Sequence, residues 1–394
     1  MMKQQLQQIL NPILDQVTKG DHPVAGVVAG VTNNDETLYL NHAGKRDIAA
    51  QTQITDDSVF AIFSTTKAIT TTVALQQYEK GLLDLDAPAK EYLPEIGDLQ
   101  VLHGFDGQGQ PILKNPEVDV TTRMLLLHTA GMGYDFFNHD YQKLTSEHGY
   151  PSIITASKAS LKTPLLFEPG TQWEYGSNID WAGLVTEAVG GKRLGQLMQE
   201  QIFQPLGMHD TAFTLTPSMQ EHRVTMHHRQ ADGSLIADTD FILPQVPEVH
   251  MGGHGLYSTV NDYLKFIRLW LNRGEVNGQR LLQESTIELA LKNGLADIAM
   301  KNLPGAIPAL SNDVNIYPEA KKGWTLGFMV NEETTTSGRP AGTIGWCGLA
   351  NLYYWIDIKN NIGGYWATQT LPFMDPSAYN GFLAFEKAVN SINY

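Results

Sequence analysis

Strand-forming runs crowd both ends of this 394-residue chain, with helical patterns between them. Near the start, residues 24–31 and 37–40 are apolar and β-branched, and Asn33-Asn34-Asp35 between them supplies the turn of a hairpin. Near the other end, residues 324–330, 343–347, 352–358 and 363–369 are aromatic and β-branched runs, the last two joined at Lys359-Asn360-Asn361. Two separate groups would each leave an unpaired edge of N–H and C=O groups. The economical solution is an α+β fold: one antiparallel sheet built from both termini, flanked by helices, with an inserted mainly helical lobe. Leu6, Ile9, Leu10, Ile13, Leu14 and Val17 share one face of a helix over 3–18, which Pro12 is expected to bend or interrupt, and a second helix is expected over 377–389. The chain is longer than one hydrophobic core usually supports. The expected division is a discontinuous sheet domain over 1–69 and 216–394 and a helical lobe over 70–215, with the active site at their interface.

Charge narrows the partners. Lys and Arg number 27 against 42 Asp and Glu, a net charge of −15 that repels phosphate backbones and anionic membrane surfaces, so neither nucleic acid nor membrane is an expected partner. The start, Met1-Met2-Lys3-Gln4, has no apolar run after its basic residue and no small-residue cleavage site, so a cytoplasmic location is expected. The one cysteine, Cys347, can form neither an internal disulfide nor a thiolate metal site.

Among motifs, there is no P-loop, no His-Glu-x-x-His helix, no EF-hand loop and no Gly-x-Ser-x-Gly elbow. The glycines at 104, 107 and 109, and at 252, 253 and 255, read as turns. His222, His227 and His228 read as a solvated helix face rather than a metal site. What stands out is Phe60-Ala61-Ile62-Phe63-Ser64-Thr65-Thr66-Lys67, where an apolar strand-like run ends at a serine opening a helix. Ser64 alone among the serines is followed three residues later by lysine, and positions i and i+3 share a helical face, so the Lys67 amine can reach the Ser64 hydroxyl. The free N–H groups of a first helical turn also favour developing negative charge. A nucleophile, an amine and part of an oxyanion site thus fall within four residues. An N-cap serine beside a solvated lysine has the same spacing. A phenol would complete the set, and Tyr175, after the turn Pro169-Gly170, offers one; a core tyrosine reads the same way.

These residues resemble the serine β-lactamase and penicillin-binding-protein superfamily, and within it the family VIII carboxylesterases and class C β-lactamases. Leu82-Leu83-Asp84-Leu85-Asp86-Ala87-Pro88, Leu125-Leu126-Leu127-His128-Thr129-Ala130-Gly131, Pro205-Leu206-Gly207-Met208 and the segment Gly252 to Asp262 look like family segments in family order. The resemblance implies a β-lactamase/transpeptidase-like fold, Ser64 as nucleophile, Lys67 as its helper and Tyr175 as general base. The third family motif would fall on Trp346-Cys347-Gly348, with the N–H groups of Ser64 and Leu349 as the oxyanion hole. Ser177 stands where β-lactamases carry Asn, and Cys347 replaces a middle Gly or Thr. Ser177, Trp346, Cys347, Gly348 and Tyr134 would bind substrate. Tyr134, Phe136, Phe137 and Trp173 would line the acyl pocket, although core packing explains aromatics equally well. His128 and His254 read as structural. The stretch from Tyr175 to Ala182 also looks like that of the fungal statin-type acyltransferases. The implied activity is cleavage of small carboxylic esters, short acyl groups preferred, through an acyl-enzyme on Ser64. Acyl transfer to alcohols and β-lactam or D-amino-acid peptide cleavage are the alternatives. No metal or organic cofactor is implied, and the oligomeric state stays open.

Overall fold

The computed structural model describes residues 2–392, so residues 1, 393 and 394, the outermost ends of the expected sheet domain, lie outside it. Its main sheet has eight antiparallel strands in the spatial order Lys322–Trp324, Met329–Asn331, Ile344–Gly348, Leu352–Asp357, Ile362–Ala367, Gly26–Thr32, Thr37–Asp47 and Thr52–Gln53. The two ends of the chain meet at the seam Gly26–Thr32 against Ile362–Ala367, in register Val28 with Ala367 and Gly30 with Tyr365. The expectation of one sheet drawn from both termini therefore holds.

Both faces of the seam are covered, which is why every residue of Gly26–Thr32 is buried and the run is continuously apolar rather than alternating. Helices Met2–Lys19 and Pro376–Asn390 pack together over one face, and Val260–Leu271 packs over the other. That approach is close enough that a Cβ on Gly363 would lie 2.5 Å from Ile267 Cγ2. Pro12 does not interrupt the first helix, which runs unbroken over 18 residues. Burial of Leu6, Leu10, Leu14 and Val17 offsets the roughly 3 kcal/mol a mid-helix proline costs.

Two sequence expectations change. The run over 324–330 is not one strand but the facing ends of Lys322–Trp324 and Met329–Asn331, paired Trp324 with Met329 around a turn that places Gly327 at φ +85°. Buried apolar residues flank that turn, so polarity gave no sign of it. The three histidines do not share a solvated helix face. His222 ends the helix Pro217–His222, whereas His227 and His228 lie on the strand Met226–Arg229, where His227 is fully buried with its Nε2 accepting a 3.3 Å hydrogen bond from the Ile48 N–H.

Between residues 70 and 215 most elements are helices, with one hairpin, Val101–Phe105 against Pro111–Lys114, turning through the glycine cluster at 104–109. The helix Thr66–Glu79 packs on Asn178–Gly190, and the turn before it abuts the strand Ile344–Gly348. These two helices, the turn and loop that lead into them, and the strand carry the site.

Candidate active site

The strand Val59–Ala61, paired with Tyr257–Thr259, runs into a 3₁₀ turn, Phe63–Thr65, and then into Thr66–Glu79. Phe63 takes φ +43°, a left-handed conformation that costs a non-glycine residue about 1–3 kcal/mol and persists only where its surroundings enforce it. Here Phe63 is buried, the Tyr263 hydroxyl donates to the Thr65 carbonyl at 2.8 Å, and Thr65 Oγ1 meets the Tyr365 hydroxyl at 3.0 Å. The strained turn lifts Ser64 clear of capping: no side chain caps either the turn or the helix.

Lys67 is 1 % exposed, on a helix whose residues Thr66 to Gln77 are all buried, so the solvated-lysine reading is gone. Its Nζ lies 3.3 Å from Ser64 Oγ, 3.0 Å from the Tyr134 hydroxyl and 2.8 Å from the Gly253 carbonyl. Burial pushes the amine down to about 7, against the opposing field of Asp180.

Tyr175 reaches the same point from the loop before Asn178–Gly190. Its ring lies under the Lys67 ammonium at 4.6 Å, and its phenol oxygen bonds Ser64 and accepts a 2.8 Å hydrogen bond from Trp346 Nε1. Burial holds that phenol well above its ordinary value, so it stays protonated at neutral pH. His128 packs against it with the rings tilted and their centroids 4.8 Å apart. Burial, then the Lys67 charge, keeps the imidazole neutral, and its Nδ1 faces the Asn178 amide at 3.0 Å. Asn178 also donates to the Met132 and Glu174 carbonyls, which pins the Tyr175 loop.

Trp346, Cys347 and Gly348 arrive on the strand Ile344–Gly348. A Cβ at Gly348 would lie 2.6 Å from the Ile62 carbonyl oxygen, so only glycine lets this strand approach the serine turn. The next residue, Leu349, borders the same cavity as Ser64, and among the described residues neither backbone N–H is engaged by another group. Cys347 is buried, and burial raises its thiol far above the range in which it could act as a thiolate. The cavity itself is about 10 Å³, room for roughly one water, walled by Phe136, Phe137, Leu303, Trp346 and Phe373.

Three sequence expectations do not fall on this cavity. Tyr134 stands behind Lys67, its hydroxyl consumed by Lys67 and by Asp180 Oδ2 at 3.0 Å. Ser177 Oγ is buried with no partner among the described residues, off the cavity wall, because the loop's polar work is done by Asn178. Trp173 borders a neighbouring cleft on the other side of Trp346.

The sequence reading missed Asp180. Fully buried in the first turn of Asn178–Gly190, it accepts from the Gly253 N–H at 2.7 Å and lies 3.4 Å from His254 Nδ1. Burial pushes its carboxyl up, but His254, Lys67 and the Gly253 N–H outweigh that and hold it below the usual carboxylate range. A Cβ on Gly253 would sit 2.4 Å from Asp180 Oδ2, which explains the glycine. The signal was present in Asn178-Ile179-Asp180-Trp181-Ala182: an acid inside an apolar helical run has to be paired.

The family model described as Beta-lactamase matches residues 6–388 of this chain. The chain is 30 % identical over 346 residues to ML-236A carboxylate methylbutanoyltransferase of Penicillium citrinum, covering 85 % of this chain and 81 % of that protein. It is 30 % identical over 357 residues to the lovastatin esterase of Penicillium rubens, covering 88 % of each. The unliganded simvastatin synthase of Aspergillus terreus superposes with a TM-score of 0.82 at 26 % identity, over 98 % of both chains.

Proposed function

Because the chain belongs to the Beta-lactamase family, with a transferase and an esterase among its relatives, we propose that it cleaves carboxylic esters through an acyl-enzyme on Ser64. The relatives support an enzyme acting on esters or acyl groups; the ester, the acyl-enzyme and the residue roles are this proposal. Ser64 Oγ attacks the ester carbonyl while its proton passes to the Lys67–Tyr175 pair. The carbonyl oxygen, now anionic, is met by the N–H groups of Ser64 and Leu349. Collapse breaks the bond to the alcohol oxygen, which leaves with the proton held by the pair, and water then repeats the sequence on the acyl-serine. The observation that carries this reading is the buried Lys67 Nζ at 3.3 Å from Ser64 Oγ, an amine held where it can be neutral near pH 7. The small aromatic-walled cavity favours short acyl groups on small-molecule esters.

Similarity to a methylbutanoyltransferase favours a second reading, in which an alcohol replaces water as the acceptor. The first experiment is treatment with a fluorophosphonate followed by intact mass and digestion. One adduct, on Ser64, is expected, together with loss of p-nitrophenyl butyrate hydrolysis in Ser64→Ala. Label on another residue, or an Ser64→Ala variant within tenfold of wild type, overturns the assignment. Adding methanol separates the two readings, because an acyltransferase releases nitrophenol faster and forms methyl butyrate.

A further inference from the structure

Lys67 has three polar neighbours and they are not equivalent. The Gly253 carbonyl, at 2.8 Å from Nζ, can only accept. Tyr134, at 3.0 Å, could in principle donate or accept, but its hydroxyl also lies 3.0 Å from Asp180 Oδ2. The other Asp180 oxygen is fixed by the Gly253 N–H at 2.7 Å. An ionised carboxylate only accepts, so the one proton of Tyr134 is committed to Asp180 and its oxygen is left to accept from Lys67. A neutral amine has two N–H bonds and one lone pair. Gly253 and Tyr134 use both N–H bonds, and the remaining direction is that of Ser64 Oγ, at 3.3 Å.

Resting on the ester-cleaving reading above, we propose that Tyr134 and Asp180 are positioning residues that aim the lone pair of Lys67 at Ser64, so that Lys67 rather than Tyr175 takes the serine proton. As the Ser64 oxygen bonds to the carbonyl carbon, its O–H bond breaks and the proton joins Nζ. The resulting ammonium now has a third N–H on the serine side, from which the leaving oxygen takes its proton back. The Tyr175 phenol, held protonated and bonded by Trp346, remains a hydrogen-bonding partner of Ser64 and not a base.

The groups facing Lys67 set the pH effects. Asp180 favours the ammonium; His254 pairs with Asp180; Tyr134, Tyr175 and Cys347 are held neutral by burial, and His128 is a neutral imidazole. Replacing Asp180 by Asn removes the anion, so the amine loses its proton at lower pH. It also frees the Tyr134 hydroxyl to turn and cap the lone pair. Replacing Tyr134 by Phe strips Asp180 of the hydrogen bond that disperses its charge, which favours the ammonium, and removes an oxygen that accepts from Lys67, which disfavours it; the two oppose, so the main effect is loss of aim.

The test measures kcat and KM for p-nitrophenyl butyrate and the rate of fluorophosphonate labelling of Ser64, from pH 5 to 9, for wild type, Asp180→Asn and Tyr134→Phe, each checked for fold by circular dichroism. Both variants are expected to lose tenfold or more in kcat and labelling rate, with KM within threefold. The acid limb should move down by half a pH unit or more in Asp180→Asn, and by less than that in Tyr134→Phe. A structural role alone would lower the rate equally at every pH. An unmoved or raised limb in Asp180→Asn, or a loss confined to KM in either variant, overturns the proposal. If Asp180→Asn does not fold, Tyr134→Phe decides: kcat and labelling rate within threefold of wild type overturn the proposal. If wild-type Ser64 takes no label at all, it is the ester-cleaving reading that falls, and this inference with it.

Discussion

The indole Nε1 of Trp346 donates a 2.8 Å hydrogen bond to the phenol oxygen of Tyr175, and the two rings lie 5.0 Å apart. One residue on the central sheet thereby fixes the loop that reaches the serine from the helical side. The bond also occupies a lone pair of the phenol oxygen beside Ser64.

Trp346→Phe keeps the packing but removes the donor. A buried acceptor left without its partner costs about 1–3 kcal/mol, which at 1.36 kcal/mol per decade is roughly 5- to 150-fold in rate if the loss falls on the transition state. The expected outcome is a fall in kcat of that order for p-nitrophenyl butyrate with KM within threefold. An unchanged kcat would show that the bond only packs the loop.

Lys67 sets the pH dependence of both rate and stability. Its amine is pushed from 10.5 down to about 7 by burial. As a base it works only when neutral, so kcat/KM should rise with pH through about 7. Stability follows the same shift: between about 7 and 10.5 the unfolded chain holds a proton that the folded chain does not, so folding becomes more favourable as pH rises across that window. Below it the lysine is charged in both states and the desolvation cost is fully present. The shift amounts to about 4–5 kcal/mol, already net of the opposing field of Asp180. Lys67→Met should therefore be inactive yet melt at or above the wild-type temperature at pH 6, with the margin shrinking toward pH 10. Thermal melts at the two pH values check this, and a destabilised variant at pH 6 contradicts it.

Part of this arrangement is written in the sequence and part is not. The sheet closed from both termini was readable because its seam strands are buried on both faces and therefore continuously apolar. Ser64, Lys67 and Tyr175 were locatable because a short sequence spacing fixes the first pair and a Pro-Gly turn marks the approach to the third. From sequence Tyr134 reads as a pocket residue and Asp180 does not stand out, since their importance lies in a contact 46 residues apart in sequence that no local pattern encodes. The turn at Gly327 was hidden for a different reason: it is buried against Thr71, so its flanks are apolar like a strand.

Gly348→Ala tests the approach of the strand Ile344–Gly348 to the serine turn. The new methyl would meet the Ile62 carbonyl oxygen at 2.6 Å, a backbone atom that cannot yield cheaply. The strand must move, carrying the Leu349 N–H with it. Loss of one oxyanion donor costs about 10²–10³ in kcat, and overpacking a buried site costs about 1–3 kcal/mol of stability. Activity should fall by at least 100-fold while the melting temperature drops only a few degrees. Near wild-type turnover would mean that the oxyanion is held elsewhere.

Esters of short neutral acids should be far better substrates than penicillins or cephalosporins. The resemblance drawn from the sequence puts a lysine of β-lactamases, which helps bind the antibiotic's carboxylate, where this chain has Trp346, and its one donor is already committed to Tyr175. Two other cations, Lys301 and Lys322, border the cleft of about 200 Å³ on the other side of Trp346 rather than the cavity at Ser64. Lys322 is held there by the carbonyls of Ile316 and Tyr317 at 2.6 and 2.9 Å, and Lys301 by Gln172 at 2.6 Å. Hydrogen bonds to a charged group contribute about 1.5–3 kcal/mol, so their absence costs roughly 10- to 150-fold. The net charge of −15 adds a repulsion of anions that weakens with salt. The measurement is kcat/KM for p-nitrophenyl butyrate beside nitrocefin at matched pH and ionic strength. The ester should lead by at least tenfold. Comparable values would mean that Leu303 and Trp346 move aside to join the two cavities and bring Lys301 or Lys322 to the carboxylate, and β-lactam cleavage would then become the better account of the site.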